Sequence, residues 1–302
     1  MSEMKKRISE SSPAGIKSVR AWGRLVLCII LSAIIMFSQM LWMTVASSMN
    51  LPPLFVTAAG ELLPLILTVL LIIVLGGKKW LGVDKESLTY AFKAGWPFVA
   101  LGVVASMMQV FNSFKNGITL ADGFVMNIVG VTLTCILIGL FEEYFYRGVN
   151  FGALLGVLGG SKGKIMIAVI LSAIGFGRAH VVSIDFSNVT MLAQAVLKII
   201  QTGMIGIVMC DVMLHTKKLG AAGLLHAAND FMLMITGALF RGASVSGQYV
   251  SSDAGTGSMI IITYLAMIAV YMYPTIRSLK RIWDEHHSCY GPFVQSQVKP
   301  EE

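Results

Sequence analysis

The sequence predicts an all-α, polytopic membrane protein with about eight transmembrane helices. Of its 302 residues, 56% are hydrophobic and 13% are charged, about half the charged share of a soluble domain. The apolar residues fall into blocks of roughly 20, the length that an α-helix needs to cross a bilayer. These blocks are too long and too uniformly apolar for the strands of a membrane β-barrel. Helices are therefore the remaining way to satisfy the backbone inside lipid.

Flanking charges, glycines and prolines delimit the blocks. The predicted spans lie at about 25–46, 54–76, 95–113, 123–146, 164–181, 189–213, 219–240 and 256–275. The apolar, glycine-containing region 147–160 could extend the fourth helix or form a short helix at the membrane interface. We favour a continuous or kinked helix through 147–158. The chain then divides into a cytoplasmic N-terminal segment (1–24), an integral membrane domain (25–284) and a cytoplasmic tail (285–302).

The basic residues predict the orientation in the cell membrane. With a cytoplasmic N-terminus and alternating spans, 19 of the 23 Lys and Arg residues fall in cytoplasmic segments, as the positive-inside rule requires. Both termini are then cytoplasmic. The net charge of +7 reflects this bias, so we expect a lipid bilayer and no nucleic acid as partner. The first apolar run is too long for a signal-peptide core.

Other functional classes find little support. The four cysteines show neither metal nor disulfide spacing and are expected to be small buried hydrophobes. We find no internal repeat of the kind that builds transporters. A channel or transporter would also need a polar path through several spans, and the first, third and eighth spans offer almost none.

Ionisable side chains inside a membrane are costly, and each one indicates a candidate site. The first group follows the fourth apolar run, where Glu142 and Glu143 precede Arg147. Residues four apart share a helical face, so Glu143 and Arg147 are expected to form an ion pair. Glu142 then has no cation on its own helix. A carboxylate in such a setting can act as a general base.

Two further groups lie on later spans. Phe176 and His180 are one helical turn apart, and so are His226 and Asp230. Taken singly, each histidine could be an interfacial or structural residue, and the second pair could simply join two helices.

The hairpin between the fourth and fifth spans relates Glu142 to His180. Glu142 lies 18 residues before Gly160, and His180 lies 20 residues after it. If the turn lies at Gly159–Lys162, the rise of 1.5 Å per residue returns both side chains to the same depth within roughly 3 Å. Contact between them is therefore expected.

The three groups together resemble the CAAX protease and bacteriocin-processing family of intramembrane endopeptidases. That family carries Glu-Glu-x-x-x-Arg, Phe-x-x-x-His and His-x-x-x-Asn/Asp in this order. The corresponding residues here are Glu142-Glu143-x-x-x-Arg147, Phe176-x-x-x-His180 and His226-x-x-x-Asp230. The motif region covers about 123–240.

The resemblance implies helices around an intramembrane polar cavity and endopeptidase activity on a peptide or membrane protein. Glu142 and His180 would activate a water molecule, while His226 and Asp230 would hold the oxyanion. An Asn would be the better oxyanion donor than Asp230, since a carboxylate donates only when protonated. Asp230 could instead orient His226 or bind a metal.

The supporting residues implied by the resemblance are Glu143 and Arg147, together with Phe176. Asn229 is adjacent to Asp230 and could contribute, although it faces about 100° away on a helix.

The residues leave the cofactor open. Glu142, His180 and His226 could bind zinc with an open water position, or act as base and oxyanion donors without metal. No His-Glu-x-x-His helix is present, and we favour a mechanism without a tightly held metal. The alternative function is a non-proteolytic membrane scaffold or bacteriocin-immunity-type binding protein on the same fold.

The other intramembrane polar residues are expected to be structural. Glu61 could pair with Lys198 across helices, whereas Asp211 and His215 are expected to be solvated at a cytoplasmic helix end.

Overall fold

The computed structural model describes residues 13–181, 184–242, 250–286 and 289–293. Regular structure in these ranges is helical, apart from an isolated bridge between Leu120 and Phe240. The all-α prediction is confirmed. The α-helices in chain order are α1 (Pro13–Ser47), α2 (Pro53–Val74), α3 (Lys85–Lys115), α4 (Phe124–Glu142), α5 (Gly152–Leu158), α6 (Lys162–Ala179), α7 (Val189–Thr216), α8 (Leu219–Leu239) and α9 (Ala254–Glu285). A 3₁₀ turn (Lys78–Trp80) follows α2, and a π-helix (Glu143–Phe151) joins α4 to α5.

The protein is a multi-pass membrane protein. Among the described residues, seven helical units are long and apolar enough to cross a membrane: α1 from Val19, α2, α3, the unit Phe124–Leu158, α7, α8 and α9. The fifth predicted span forms α6, which is not among the seven. It has only 18 residues, fewer than any of the seven units, and its whole length carries three charges, at Lys162, Lys164 and Arg178.

Two local predictions about the fourth and fifth helices are confirmed. The helical path continues from α4 through the π-helix into α5 and ends at Leu158, as favoured for 147–158. The turn between α5 and α6 lies at residues 159–161, where the hairpin was expected. Glu142 and His180 therefore stand on the two arms of one hairpin.

Close packing of α4 on α8 brings the first and third motifs together. A Cβ at Gly139 would lie 2.5 Å from the carbonyl oxygen of Gly223 and 2.7 Å from the backbone nitrogen of Ala227. Only a glycine permits this approach, because any side chain would collide with the α8 backbone. Glu142 follows Gly139 by one turn and thus lies beside His226.

Asp211 corrects one expectation from the sequence. It is fully buried rather than solvated, and it accepts hydrogen bonds from Ser278 (2.8 Å) and from Arg281 Nε (3.0 Å). These partners lie about 70 residues further on, in α9. The buried Asp211 carboxylate and the partly buried Arg281 therefore join α7 to α9. His215 is half-exposed and pairs with Glu285 at 2.9 Å.

Glu61, for which the sequence suggested Lys198 as a partner, has a hydrogen-bonding partner in α1. Gln39 Nε2 of α1 donates to both of its carboxylate oxygens, at 3.0 and 2.9 Å. Lys198 donates to Gln201 Oε1 at 3.3 Å.

Beyond α9, residues 289–293 pack against the helices. Phe293 is fully buried and its carbonyl oxygen accepts a hydrogen bond from Arg24 at 3.0 Å. This part of the segment assigned as a cytoplasmic tail therefore contributes to the core.

Candidate active site

The π-helix presents the two adjacent glutamates to different surroundings. Glu142 is the last residue of α4, and Glu143 is the first residue of the π-helix. Glu143 and Arg147 are fully buried, whereas the side chain of Glu142 is 21% exposed. π-Helical segments occur frequently at functional sites. Here the π-helix begins between two glutamates that differ in burial.

Glu143 and Arg147 form the predicted ion pair, with Arg147 Nη1 3.0 Å from Glu143 Oε1. The guanidinium carbon of Arg147 also lies 4.0 Å from the centre of the Phe176 ring, in cation–π contact. Gly206 of α7 leaves room for this group, since a Cβ there would lie 2.9 Å from Arg147 Nη2. Phe176 thus supports the ion pair from α6, and Gly206 accommodates it.

Glu143 has a second partner on α8. His226 Nδ1 lies 2.9 Å from the same Oε1 atom. A carboxylate accepts, so Nδ1 carries a proton and donates to Glu143. This hydrogen bond fixes the plane of the imidazole and directs Nε2 away from Glu143.

Glu142 lies between the two histidines. Its Oε2 atom is 3.7 Å from His180 Nε2 and 3.7 Å from His226 Nε2. Oε2 is buried and makes no hydrogen bond to any described residue. The structure therefore brings together Glu142, His180 and His226, which the sequence places on three separate helices.

A backbone carbonyl sets the orientation of His180. Its Nδ1 lies 2.9 Å from the carbonyl oxygen of Phe176. That oxygen can only accept, so Nδ1 donates and Nε2 of the neutral ring is an acceptor facing Glu142. The Phe176 ring lies edge-on to the rings of His180 and His226, with centroids 4.6 and 5.8 Å apart. One phenylalanine thus packs against both imidazoles.

Asp230 lies one turn after His226 on the same face of α8, as predicted. Its Oδ2 atom is 3.5 Å from His226 Nε2. Asn229 is buried, and its amide donates to Asp230 Oδ1 at 3.5 Å. Asn229 therefore contacts Asp230 despite facing another side of the helix.

A cavity of about 250 Å³ opens beside this cluster. Its lining residues are Met36, Gln39, Phe141, Glu142, Tyr146, Ala179 and His180. An adjoining cavity of about 330 Å³ shares Met36 and Tyr146 with it. The first cavity gives Glu142 and His180 a route to the surface between α1 and the α4–α6 hairpin.

Two polar residues of this cavity were not identified from the sequence. Gln39 is an uncharged amide within an apolar span, so it is not among the ionisable groups that mark a candidate site. Tyr146 lies inside the Glu-Glu-x-x-x-Arg motif at a position that the motif leaves unspecified.

The cluster contains ligand types that zinc accepts, two imidazoles and a carboxylate. His226 Nε2 lies 3.5 Å from Asp230 Oδ2 and 3.7 Å from Glu142 Oε2. In the part of the chain that the structure describes, no group of three or more His, Cys, Asp or Glu side chains is arranged to hold a metal ion. The mechanism proposed below uses protein groups and water.

The fold and this cluster define a multi-pass membrane protein with a buried carboxylate–imidazole site. Residues 124–232 match the family model described as type II CAAX prenyl endopeptidase Rce1-like. This match agrees with the resemblance inferred from the three motifs. All three motifs lie inside the match, which covers about a third of the chain. A search of curated proteins found no match.

Proposed function

We propose that the protein is an intramembrane endopeptidase that hydrolyses a peptide bond of a peptide or membrane protein. The observation that carries the proposal is the position of Glu142 Oε2, 3.7 Å from the Nε2 atoms of both His180 and His226. This spacing suits a water molecule held between an acidic oxygen and an imidazole nitrogen. The adjoining cavity is the space for the substrate.

In the first step, Glu142 and His180 orient the water and Glu142 accepts one of its protons. The water oxygen forms a bond to the carbonyl carbon of the substrate, and the carbonyl π electrons move onto its oxygen. His180 is neutral, and its Nδ1–H donates to the Phe176 carbonyl. Nε2 therefore accepts a hydrogen bond from the second O–H of the water. Positioned base catalysis of this kind typically contributes about 10²–10⁴-fold in rate.

In the second step, His226 stabilises the oxyanion. We assign His226 the doubly protonated form, because the side chains of Glu142, Glu143 and Asp230 all lie within 3.7 Å of its ring nitrogens. Nδ1–H then donates to Glu143, and Nε2–H is available for the substrate oxygen. Asp230 balances the charge of His226 and adds a donor of its own only when it is protonated.

In the third step, the tetrahedral intermediate collapses. The carbon–nitrogen bond breaks, and the proton held by Glu142 passes to the leaving nitrogen. The products are a new carboxyl terminus and a new amine. Glu143 and Arg147 do not react, but their buried pair holds His226 in place.

Access from the bilayer favours an apolar peptide or a membrane-protein segment as substrate. Met36 of α1 lines the cavity and is 38% exposed. The bias of Lys and Arg toward one side supports a cell-membrane location with both termini in the cytoplasm.

Comparative proteomics of new peptide termini tests the proposal in cells. Glu142→Gln removes the base and keeps the side-chain volume, while Glu86→Gln makes the same change at an exposed site in the first turn of α3. Termini made by the enzyme should disappear in Glu142→Gln and persist in Glu86→Gln. Identical termini in all strains, with function retained, would instead support the non-proteolytic scaffold.

A further inference from the structure

One polar side chain of the cavity lies outside the region that matches the family. Gln39 belongs to α1 and lines the same cavity as Glu142 and His180. Met36, one turn earlier on α1, lines the cavity as well. This face of α1 therefore forms the cavity wall, and Gln39 is its hydrogen-bonding group.

Glu61 sets the orientation of the Gln39 amide. Gln39 Nε2 donates to both Glu61 oxygens, at 3.0 and 2.9 Å. Both carboxylate oxygens of Glu61 accept from Nε2, so the amino group of the amide faces Glu61. The carbonyl oxygen, Oε1, is on the other branch of the amide and is its acceptor.

The α1–α2 hairpin holds this pair in register. Trp42 Nε1, three residues after Gln39, donates to the carbonyl oxygen of Ala59 at 2.7 Å, two residues before Glu61. Two side-chain contacts at the same level thus tie the helices together. A carboxylate inside a membrane span is energetically costly, which indicates a function. For Glu61 that function is to position the Gln39 amide beside the cavity.

A peptide that enters such a cavity must satisfy its main-chain N–H groups without bulk water. Glu142 and the two imidazoles are occupied by the reacting water and the oxyanion. We propose that Gln39 is a substrate-binding residue whose Oε1 accepts a hydrogen bond from a main-chain N–H of the bound peptide. Glu61 is the positioning residue that holds the amide. This inference rests on the proposed endopeptidase function.

Steady-state kinetics with purified protein in phosphatidylcholine vesicles test the assignment. The probe is a quenched-fluorescence library of apolar peptides. Gln39→Met keeps the length of the side chain but removes the acceptor, and Leu41→Met places the same side chain on the exposed side of α1. Gln39→Met should raise KM about tenfold with little change in kcat, as loss of one substrate hydrogen bond predicts.

Glu61→Gln separates positioning from binding. A Gln–Gln pair no longer dictates which amide atom faces α2, so KM should rise by less than in Gln39→Met. Leu41→Met should match the wild type. An unchanged KM in Gln39→Met would overturn the assignment.

Photocrosslinking gives a readout that does not require cleavage. A photoreactive phenylalanine analogue in place of Met36 should capture the library peptides in the Glu142→Gln background, and adding Gln39→Met should lower the yield severalfold. Equal yields would contradict the role of Gln39. If yields depend on Gln39 while the wild type cleaves no peptide, the peptide-binding role stands and the proposed proteolysis fails.

Discussion

A single oxygen atom joins the π-helix to α8: Glu143 Oε1 lies 2.9 Å from His226 Nδ1 and 3.0 Å from Arg147 Nη1. The contact between Glu143 and His226 spans 83 residues of sequence. It fixes the imidazole so that Nε2 faces Glu142, the preceding residue. The two adjacent glutamates thus divide their work, since one orients the histidine and the other faces the cavity.

The first prediction concerns Glu143→Gln. This change removes the partner of Arg147, a fully buried cation, and stranding such a charge costs about 3–5 kcal/mol. Thermal unfolding in detergent should show a corresponding loss of stability. Glu285→Gln is the matched control, because its pair with His215 is half-exposed and contributes at most about 1 kcal/mol. Equal losses in both variants would contradict the structural role of Glu143.

The second prediction concerns Gly139→Ala. The new Cβ would meet the backbone of α8 at 2.5–2.7 Å, so α4 and α8 must separate and carry Glu142 away from His226. We expect a loss of about 1–3 kcal/mol in stability and a fall in activity approaching 10²-fold. Gly163→Ala is the control, because a Cβ at Gly163 meets nothing within 4 Å. Wild-type activity in Gly139→Ala would show that the close approach is not required.

The third prediction separates the roles of Asp230. If Asp230 mainly supports His226 and the oxyanion, Asp230→Asn keeps a polar group beside His226 and supplies an amide donor. Its kcat/KM should stay within about tenfold of the wild type, whereas Asp230→Ala should lose about 10²-fold, a typical cost of removing an oxyanion-site group. Equal losses in both variants would indicate that the carboxylate itself is needed.

The fourth prediction concerns metal removal. The proposed mechanism uses only protein groups and water, so treatment with a zinc chelator should leave the cleavage rate unchanged after metal analysis has verified that zinc is removed. Loss of activity on chelation, with recovery on addition of zinc, would contradict the metal-free mechanism.

Local regularities made part of the structure predictable from the sequence. Apolar length fixed the helical class, and four-residue spacing predicted the pairs of Glu143 with Arg147 and of His226 with Asp230. The proximity of His180 to Glu142 was predictable because the two residues lie at nearly equal distances along the chain from the turn of one hairpin. That estimate needs only the helical rise and not the packing of the other helices.

Other features depend on distant residues and could not be predicted. Asp211 is buried because Arg281, in another helix, neutralises it. Four-residue spacing between Glu143 and Arg147 gave no sign that the segment is π-helical. Gln39 carries no charge, and its place in the cavity wall depends on the packing of α1 beside the α4–α6 hairpin, which the sequence does not reveal.

Cleavage by the purified protein in vesicles tests the central claim most directly. Wild type, Glu142→Gln and Glu86→Gln would be compared on the same quenched-fluorescence peptide library. Loss of the base should lower kcat by at least about 10²-fold in Glu142→Gln, while Glu86→Gln matches the wild type. Cleavage by Glu142→Gln at the wild-type rate would contradict the assignment of Glu142 as the base that activates the water.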